Sequence, residues 1–93
     1  MEKTGPKTPK QLERYFKGVA NHRRVELLLL IAQHPGISLD ELAKATKGNF
    51  KTISEHTKKL VQADLVNKQH RGLRVEHRLS PYGTRFHEFM KLF

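Results

Sequence analysis

The chain has 93 residues, which is enough for one domain with a modest core. Its 18 Lys and Arg outnumber nine Asp and Glu, and the formal charge of +9 indicates a polyanionic partner, nucleic acid ahead of an acidic membrane surface. Cysteine is absent, which excludes disulfides, thiolate metal sites and cysteine catalysis and is consistent with a cytoplasmic protein.

The first residues, MEKTGPKTPK, combine Lys, Thr, Gly and Pro with nothing to bury. We therefore expect residues 1–8 to form a flexible basic arm, followed by a single domain over residues 9–93. The N-terminus lacks a signal-peptide core, and no apolar run approaches the length that spans a bilayer. We expect no membrane partner.

Two helices are predicted at the start of the domain. The first, from Pro9 to Val19, has an apolar face. The second begins after Asn21, a good N-cap, and runs from about His22 to His34, where Pro35-Gly36 stops it. Its centre, residues 27–31, is apolar through more than a turn, which predicts a helix buried on all sides at the middle of the fold.

The next stretch reads as a helix-turn-helix. Ser38 and Glu41 form a capping box that opens a short helix ending near Thr46. After a turn at Lys47-Gly48, Asn49 caps a second helix over residues 50–63. That helix has one apolar stripe and an opposite face of lysines, hydroxyls and polar groups. The stripe consists of Phe50, Ile53, Thr57, Leu60 and Val61.

After Leu65 the apolar period changes from helical spacing to alternation. Residues 66–79 then read as a two-stranded hairpin with a turn at Gly72-Leu73. Ser80-Pro81 begins a last helix with apolar residues at helical spacing through Phe93. The order predicts a mainly α fold with a small β-hairpin (α+β), a winged helix-turn-helix of five helices plus a two-stranded wing.

The helix that follows the turn resembles the recognition helix of ArsR-type bacterial and archaeal repressors, which carries a T-[VI]-S-x-H-x-x-x-L-x-x-A-x-L-[VI]-like run. The resemblance covers about residues 12–80. It implies DNA binding and dimerisation through the terminal helices. The residues that match in register are Thr52, Ile53, Ser54, His56, Leu60, Ala63, Leu65 and Val66.

Three departures from the family pattern stand out. Thr57 occupies a position where leucine is usual, and Asp64 one where glycine is common. We therefore expect looser packing of this helix and a differently formed end. The cysteine pair and the Asp/His/Glu clusters of the family's metal sensors are missing, with only His87 and Glu88 on the last helix. The resemblance therefore does not imply inducer chemistry.

The position of each residue along the matching helix indicates which part of the DNA it would contact. Side chains early on the helix suit base edges: Asn49, Lys51, Thr52, Ser54 and Glu55. Others suit backbone phosphates: Lys47, His56, Lys58, Lys59 and Gln62. Glu55 could instead pair with Lys51 or Lys59 along the helix. At the hairpin tip, Arg71, Gly72 and Arg74 suit a minor groove or backbone, with a solvated tip as the alternative.

The apolar faces of the first and last helices predict a homodimer. A core built on residues 27–31 leaves these two faces to pack on each other and on their twofold mates. The predicted interface residues are Leu12, Tyr15, Phe16, Val19, Tyr82, Phe86, Phe89, Met90 and Phe93.

Metal and catalytic chemistry have little support in the sequence. His70 and His77 fall on one face of the hairpin, close enough to share an ion, but a structural zinc site almost always has four ligands. We assign no metal and no cofactor. Catalytic constellations are also missing, so we expect no enzyme.

These observations favour one function over two others. The favoured function is a dimeric, sequence-specific regulator of transcription that binds double-stranded DNA, a repressor by resemblance. One alternative is a winged-helix module that binds proteins. The other is a regulator whose ligand or metal site is not visible in the sequence.

Overall fold

Five helices and one antiparallel hairpin make up the fold in the computed structural model, which describes residues 6–93. Residues 1–5, the larger part of the predicted arm, lie outside that range. The predicted order of elements and the winged helix-turn-helix fold are confirmed. The elements are α1 (Pro9–Val19), α2 (His22–Gln33), α3 (Leu39–Thr46), α4 (Phe50–Gln62), β1 (Val66–Arg71), β2 (Arg74–Leu79) and α5 (Pro81–Met90).

Local capping explains where the helices begin. Ser38 and Glu41 form the predicted box, in which the Ser38 hydroxyl accepts from the Glu41 amide at 3.2 Å and the Glu41 carboxylate accepts from the Ser38 amide at 2.9 Å. Thr8 and Gln11 form a second box at α1, which the sequence analysis did not identify. Ser80 caps α5 by accepting from the Gly83 amide at 3.0 Å.

The core is organised around α2, as expected, but α2 is not buried on all sides. Leu27, Leu28 and Ile31 are fully buried, whereas Leu29 is exposed and Leu30 is half-buried. A domain of this size has too few elements to surround one helix, so one side of α2 faces solvent. The other elements complete the core with Ile37, Leu42, Ile53, Leu60, Leu65 and Val66.

In the described part of the chain, two residues other than glycine adopt left-handed backbone conformations, and both lie at the end of a helix. Lys47 has φ 54° at the end of α3, in the turn before the second helix of the helix-turn-helix. Asp64 has φ 63° just after α4. At this position the family commonly has glycine, and here an aspartate takes the conformation that glycine adopts most easily.

The hairpin pairs Val66 with Leu79 at its base and Arg71 with Arg74 at its tip. Gly72 has φ 61° and begins the two-residue turn, the position at which a type II′ turn requires glycine. Val66 is buried while the rest of β1 is exposed, so β1 is held to the domain at its base and otherwise faces solvent.

The last helix is shorter than predicted. α5 ends at Met90, and the final turn does not continue the helix to Phe93. Phe93 is 92% exposed and contacts Phe89 edge to face, with the ring centroids 5.2 Å apart. The start of α5 lies close to the core, because a Cβ atom at Gly83 would be only 1.9 Å from the Leu65 carbonyl oxygen. No helix in residues 6–93 is both long and apolar enough to cross a membrane.

Candidate nucleic-acid interface

α4 has one buried side and one exposed side. Ile53, Thr57 and Leu60 are buried against the domain. The Thr57 hydroxyl donates to the Ile53 carbonyl at 2.8 Å, so a polar side chain is accommodated where the family has leucine. Phe50, which the apolar stripe placed in the core, is 51% exposed, because α4 begins at this residue beyond the edge of the packed surface.

The residues predicted to contact bases lie at the start of α4. Lys51, Thr52 and Glu55 are exposed and Ser54 is half-buried. The Asn49 side-chain oxygen accepts from the Thr52 amide at 3.2 Å and thereby caps the helix. Its side-chain oxygen is therefore engaged, and only the amide nitrogen of Asn49 is left to donate to another group.

Four residues predicted to contact phosphates are exposed, namely Lys47, Lys58, Lys59 and Gln62. The fifth, His56, is half-buried, and its Nδ1 is buried without a hydrogen-bond partner in the described part of the chain. Burial lowers the pKa of His56, and the nearby positive charges of Arg24 and Arg23 lower it further. The neutral ring is therefore favoured at this position.

The wing is held against α3 by Arg74. Its Nη2 donates to the Glu41 carboxylate at 2.8 Å and to the Gly36 carbonyl at 2.9 Å. The Ser38 amide and then Arg74 lower the pKa of Glu41 to about 2. Arg74 thus joins the wing to the first helix of the helix-turn-helix, which the prediction of a DNA contact for this residue did not anticipate. Its bonds within the protomer favour a positioning role.

Glu76 is surrounded by arginines on the wing. Its carboxylate lies 3.2 Å from the Nε of Arg71, 3.0 Å from the Nη1 of Arg78 and 3.7 Å from the Nε of Arg74. The Arg71 side chain is 62% exposed, so it keeps a free side at the tip while Glu76 fixes the other. Gly72 is exposed beside it, with open space where a side chain would be.

The two wing histidines share a face, as the alternation predicted, but differ in their surroundings. The register pairs His77 with Lys68 and His70 with Val75. His77 is buried and its Nδ1 donates to the Ile37 carbonyl at 2.9 Å, while His70 is exposed. Burial lowers the pKa of His77. Within residues 6–93 no three His, Asp or Glu side chains are grouped in a way that could hold a metal ion.

α1 and α5 pack against each other within one protomer. The rings of Tyr15 and Tyr82 lie 4.8 Å apart, and those of Phe16 and Phe86 lie 5.2 Å apart, edge to face. Lys7 lies over both tyrosines, with its Nζ 4.8 Å from the centroid of Tyr82, so the chain just before α1 also contacts this pair.

The predicted interface residues divide into an inner and an outer group. Tyr15 is buried, and Val19, Tyr82, Phe86 and Met90 are half-buried against the core of their own protomer. The outer group, the exposed apolar face of the two helices, consists of Leu12, Phe16, Phe89 and Phe93, and Leu92 lies beside it.

Sequence reasoning missed the contacts that attach the wing. Glu41 and Arg74 are 33 residues apart, and His77 and Ile37 are 40 apart. Ile37, which lies just before α3, also forms an isolated antiparallel β-bridge with His77 on β2. Helical or strand periodicity carries no signal for such distant pairs. The only local indication was a charged Glu76 between two arginines on β2.

Several solved structures share this architecture. The homodimeric winged helix-turn-helix DNA-binding domain of Mb0332 from Mycobacterium bovis, a possible ArsR-family transcriptional regulator, is 27% identical, with a TM-score of 0.80 over 97% of this chain and 88% of that one. Reduced HlyU from Vibrio cholerae has 22% identity and a TM-score of 0.77 over 90% of each chain. MarR has 20% identity and a TM-score of 0.73 over 87% of this chain and 62% of its own. No curated protein sequence matches the chain.

Fold and exposed helix together define a winged helix-turn-helix domain, and the resemblance to ArsR-type regulators is confirmed by the structural neighbours. A narrower grouping follows from the sequence itself. The chain belongs to the HVO_A0114 family, whose model matches residues 19–82.

Proposed function

We propose that this protein is a cytoplasmic, homodimeric transcriptional repressor that binds double-stranded DNA at specific sequences. In this proposal α4 enters the major groove, and the wing contacts the flanking backbone or minor groove. The observation that carries the proposal is the two-sided character of α4. Its buried stripe holds it against the domain, while Lys51, Glu55 and Lys58 are presented to solvent.

Charge separates this function from a winged-helix module that binds proteins. Residues 47–78, which hold the turn, α4 and the wing, include eight Lys and Arg and three Asp and Glu. A module that binds proteins through a neutral or acidic face does not need an excess of positive charge, whereas binding to DNA phosphates does. The Mb0332 domain, which has the same fold, is described as the DNA-binding domain of a possible transcriptional regulator, which supports the same choice.

The contacts divide into those that carry sequence information and those that position the domain. Lys51 and Thr52 stand at the exposed start of α4, where side chains reach base edges. Lys58 and Lys59 lie further along and suit phosphates. On the wing we propose that Arg71 contacts the DNA, while Arg74, bonded to Glu41, orients the wing toward it.

Dimerisation would bring two α4 helices to one site. The exposed apolar face of α1 and α5 suits a second copy of the chain, and the Mb0332 domain, which has this fold, is homodimeric. A dimer of this type presents its recognition helices about 34 Å apart, to successive major grooves of a pseudo-palindrome.

Selection from a pool of random duplexes at low salt tests the proposal directly. We expect a common sequence to be enriched, and enrichment of none, with no tight binding to any duplex, would favour the protein-interaction module. Two variants then test the division of contacts. Lys58→Ala with Lys59→Ala should weaken binding to specific and random DNA alike, and lower the salt slope by about one unit per lost phosphate contact.

Lys51→Ala is the matched comparison on the same helix. It should alter the preference at one or two base pairs, at a cost of about 1–3 kcal/mol on the selected sequence. If all these substitutions cause equal losses on specific and random duplexes, α4 does not lie in the groove as proposed.

A further inference from the structure

We infer that a groove between α1, α2 and α4 is a second phosphate-binding surface, which holds the DNA backbone beyond the segment that α4 itself contacts. This inference rests on the proposed function and extends it to a part of the domain outside the helix-turn-helix and the wing. The groove has a volume of about 620 Å³. Its lining consists of Arg14, Lys17, Gly18, Ala20, Arg24, Lys59, Gln62 and Ala63.

Small residues form the floor of the groove because α1 and α4 approach each other closely. A Cβ atom at Gly18 would lie 2.3 Å from the Cβ of Ala63 and 3.3 Å from the Cδ1 of Leu65. Gly18 is therefore required for this contact, since a larger residue would separate the helices. The close packing holds the basic side chains of α1 beside the carboxyl end of α4.

Among residues 6–93, every charged residue that lines the groove is a cation. Arg14, Lys17, Arg24 and Lys59 contribute four positive charges from three helices, and no carboxylate of this range lines the groove. Within residues 6–93, neither Arg24 nor Lys59 forms an ion pair.

The other two cations of the groove are only partly engaged. Lys17 has an exposed partner, Glu13, at 3.2 Å. Arg14 donates to the Tyr15 hydroxyl at 3.2 Å, and no carboxylate of residues 6–93 forms an ion pair with it. The groove therefore carries a net positive charge that an anion would stabilise.

The form of the groove suits an extended polyanion better than a single small anion. It is open to solvent, and its cations come from three separate helices. A DNA strand carries one phosphate for about every 3.4 Å of the duplex axis, so its backbone offers a row of anions to such separate cations.

Continuity with α4 indicates which polyanion occupies the groove. Lys59 and Gln62 line it, and both are also among the residues of α4 that we propose for phosphate contacts. A DNA backbone that contacts the end of α4 is therefore already at the mouth of the groove. Arg24 and then the α1 cations extend the same basic surface.

The test compares two variants that each lose two positive charges from exposed side chains. The groove variant is Arg14→Gln with Lys17→Gln. The control is Arg85→Gln with Lys91→Gln on α5, an exposed arginine over the Tyr82 ring and an exposed lysine paired with Glu88, both outside the groove. Fluorescence anisotropy with a mixed-sequence duplex, measured over a range of KCl concentrations, gives the salt slope of binding. Circular dichroism establishes that both variants are folded.

We expect the groove variant to lower the salt slope by about 1.8 units, at 0.9 per phosphate, and the control to leave it near the value of the unaltered protein. If both variants behave alike, the groove is not a phosphate-binding surface, while the proposed function stands. If the unaltered protein binds no duplex, both the proposed function and this inference fail.

Lysine acetylation read by mass spectrometry distinguishes DNA from a free anion. A bound duplex should protect Lys17, on α1, as well as Lys59, whereas inorganic phosphate at the same ionic strength should protect neither. Equal protection of Lys17 by inorganic phosphate would overturn the assignment to the DNA backbone.

Discussion

Phe89→Glu should dissociate the proposed dimer while leaving the protomer folded. Phe89 is 49% exposed on α5, so about half of the side chain remains to be buried by a partner. Full burial of a phenylalanine contributes about 1.5–3 kcal/mol, which leaves about 1 kcal/mol per chain for the interface. A twofold interface contains this contact twice.

The introduced charge adds the larger part of the effect. A carboxylate moved from water into an apolar contact costs several kcal/mol unless it finds a partner. With the lost apolar burial, even a conservative total of about 4 kcal/mol per dimer raises the dissociation constant about a thousandfold.

Sedimentation equilibrium measures the result. At tens of micromolar, the unaltered protein should sediment as a dimer and the variant at the protomer mass of 10.8 kDa. Leu73→Glu is the matched control, because Leu73 is 106% exposed at the wing tip and the same charge is introduced far from the terminal helices. Unaltered protein that sediments at the protomer mass, or a Phe89→Glu variant that remains dimeric, would refute the reasoning.

Three further substitutions test the contacts that position the site. The unaltered protein should lose stability as the pH falls from 4.5 to about 2, because the folded-state pKa of Glu41 is depressed. Glu41→Gln should remove this loss, and an unchanged acid unfolding curve would contradict the prediction. Burial lowers the pKa of His77, so the melting temperature should fall as the pH drops below about 6.5. His77→Gln should flatten that pH dependence, although it also weakens the bond to Ile37. An equal pH dependence of the melting temperature in both proteins would contradict the prediction. Gly83→Ala should cost more than about 2 kcal/mol in urea unfolding, since its Cβ would overlap the Leu65 carbonyl oxygen, and a fully stable variant would show that α5 can move away.

Local chemistry made most of the architecture readable from the sequence alone. Capping depends on residues three or four positions apart, so the sequence alone locates the starts of three helices. The capping residues are Ser38 with Glu41, Asn49, and Ser80-Pro81. The wing is also located by a local signal, the change from helical to alternating periodicity after Leu65. These signals extend over only a few residues, so they can be read directly from the sequence.

Tertiary packing decided what those local signals leave open. Leu29 and Phe50 belong to apolar patterns yet face solvent, because exposure depends on which neighbours cover a residue. The place of Arg74 at the hairpin tip predicts a DNA contact, and only the structure shows that it also pairs with Glu41, 33 residues earlier in the chain. The basic groove likewise exists only because Gly18 lets α1 approach α4. Which distant side chains meet is set by the packed fold, and no periodicity in the sequence encodes it.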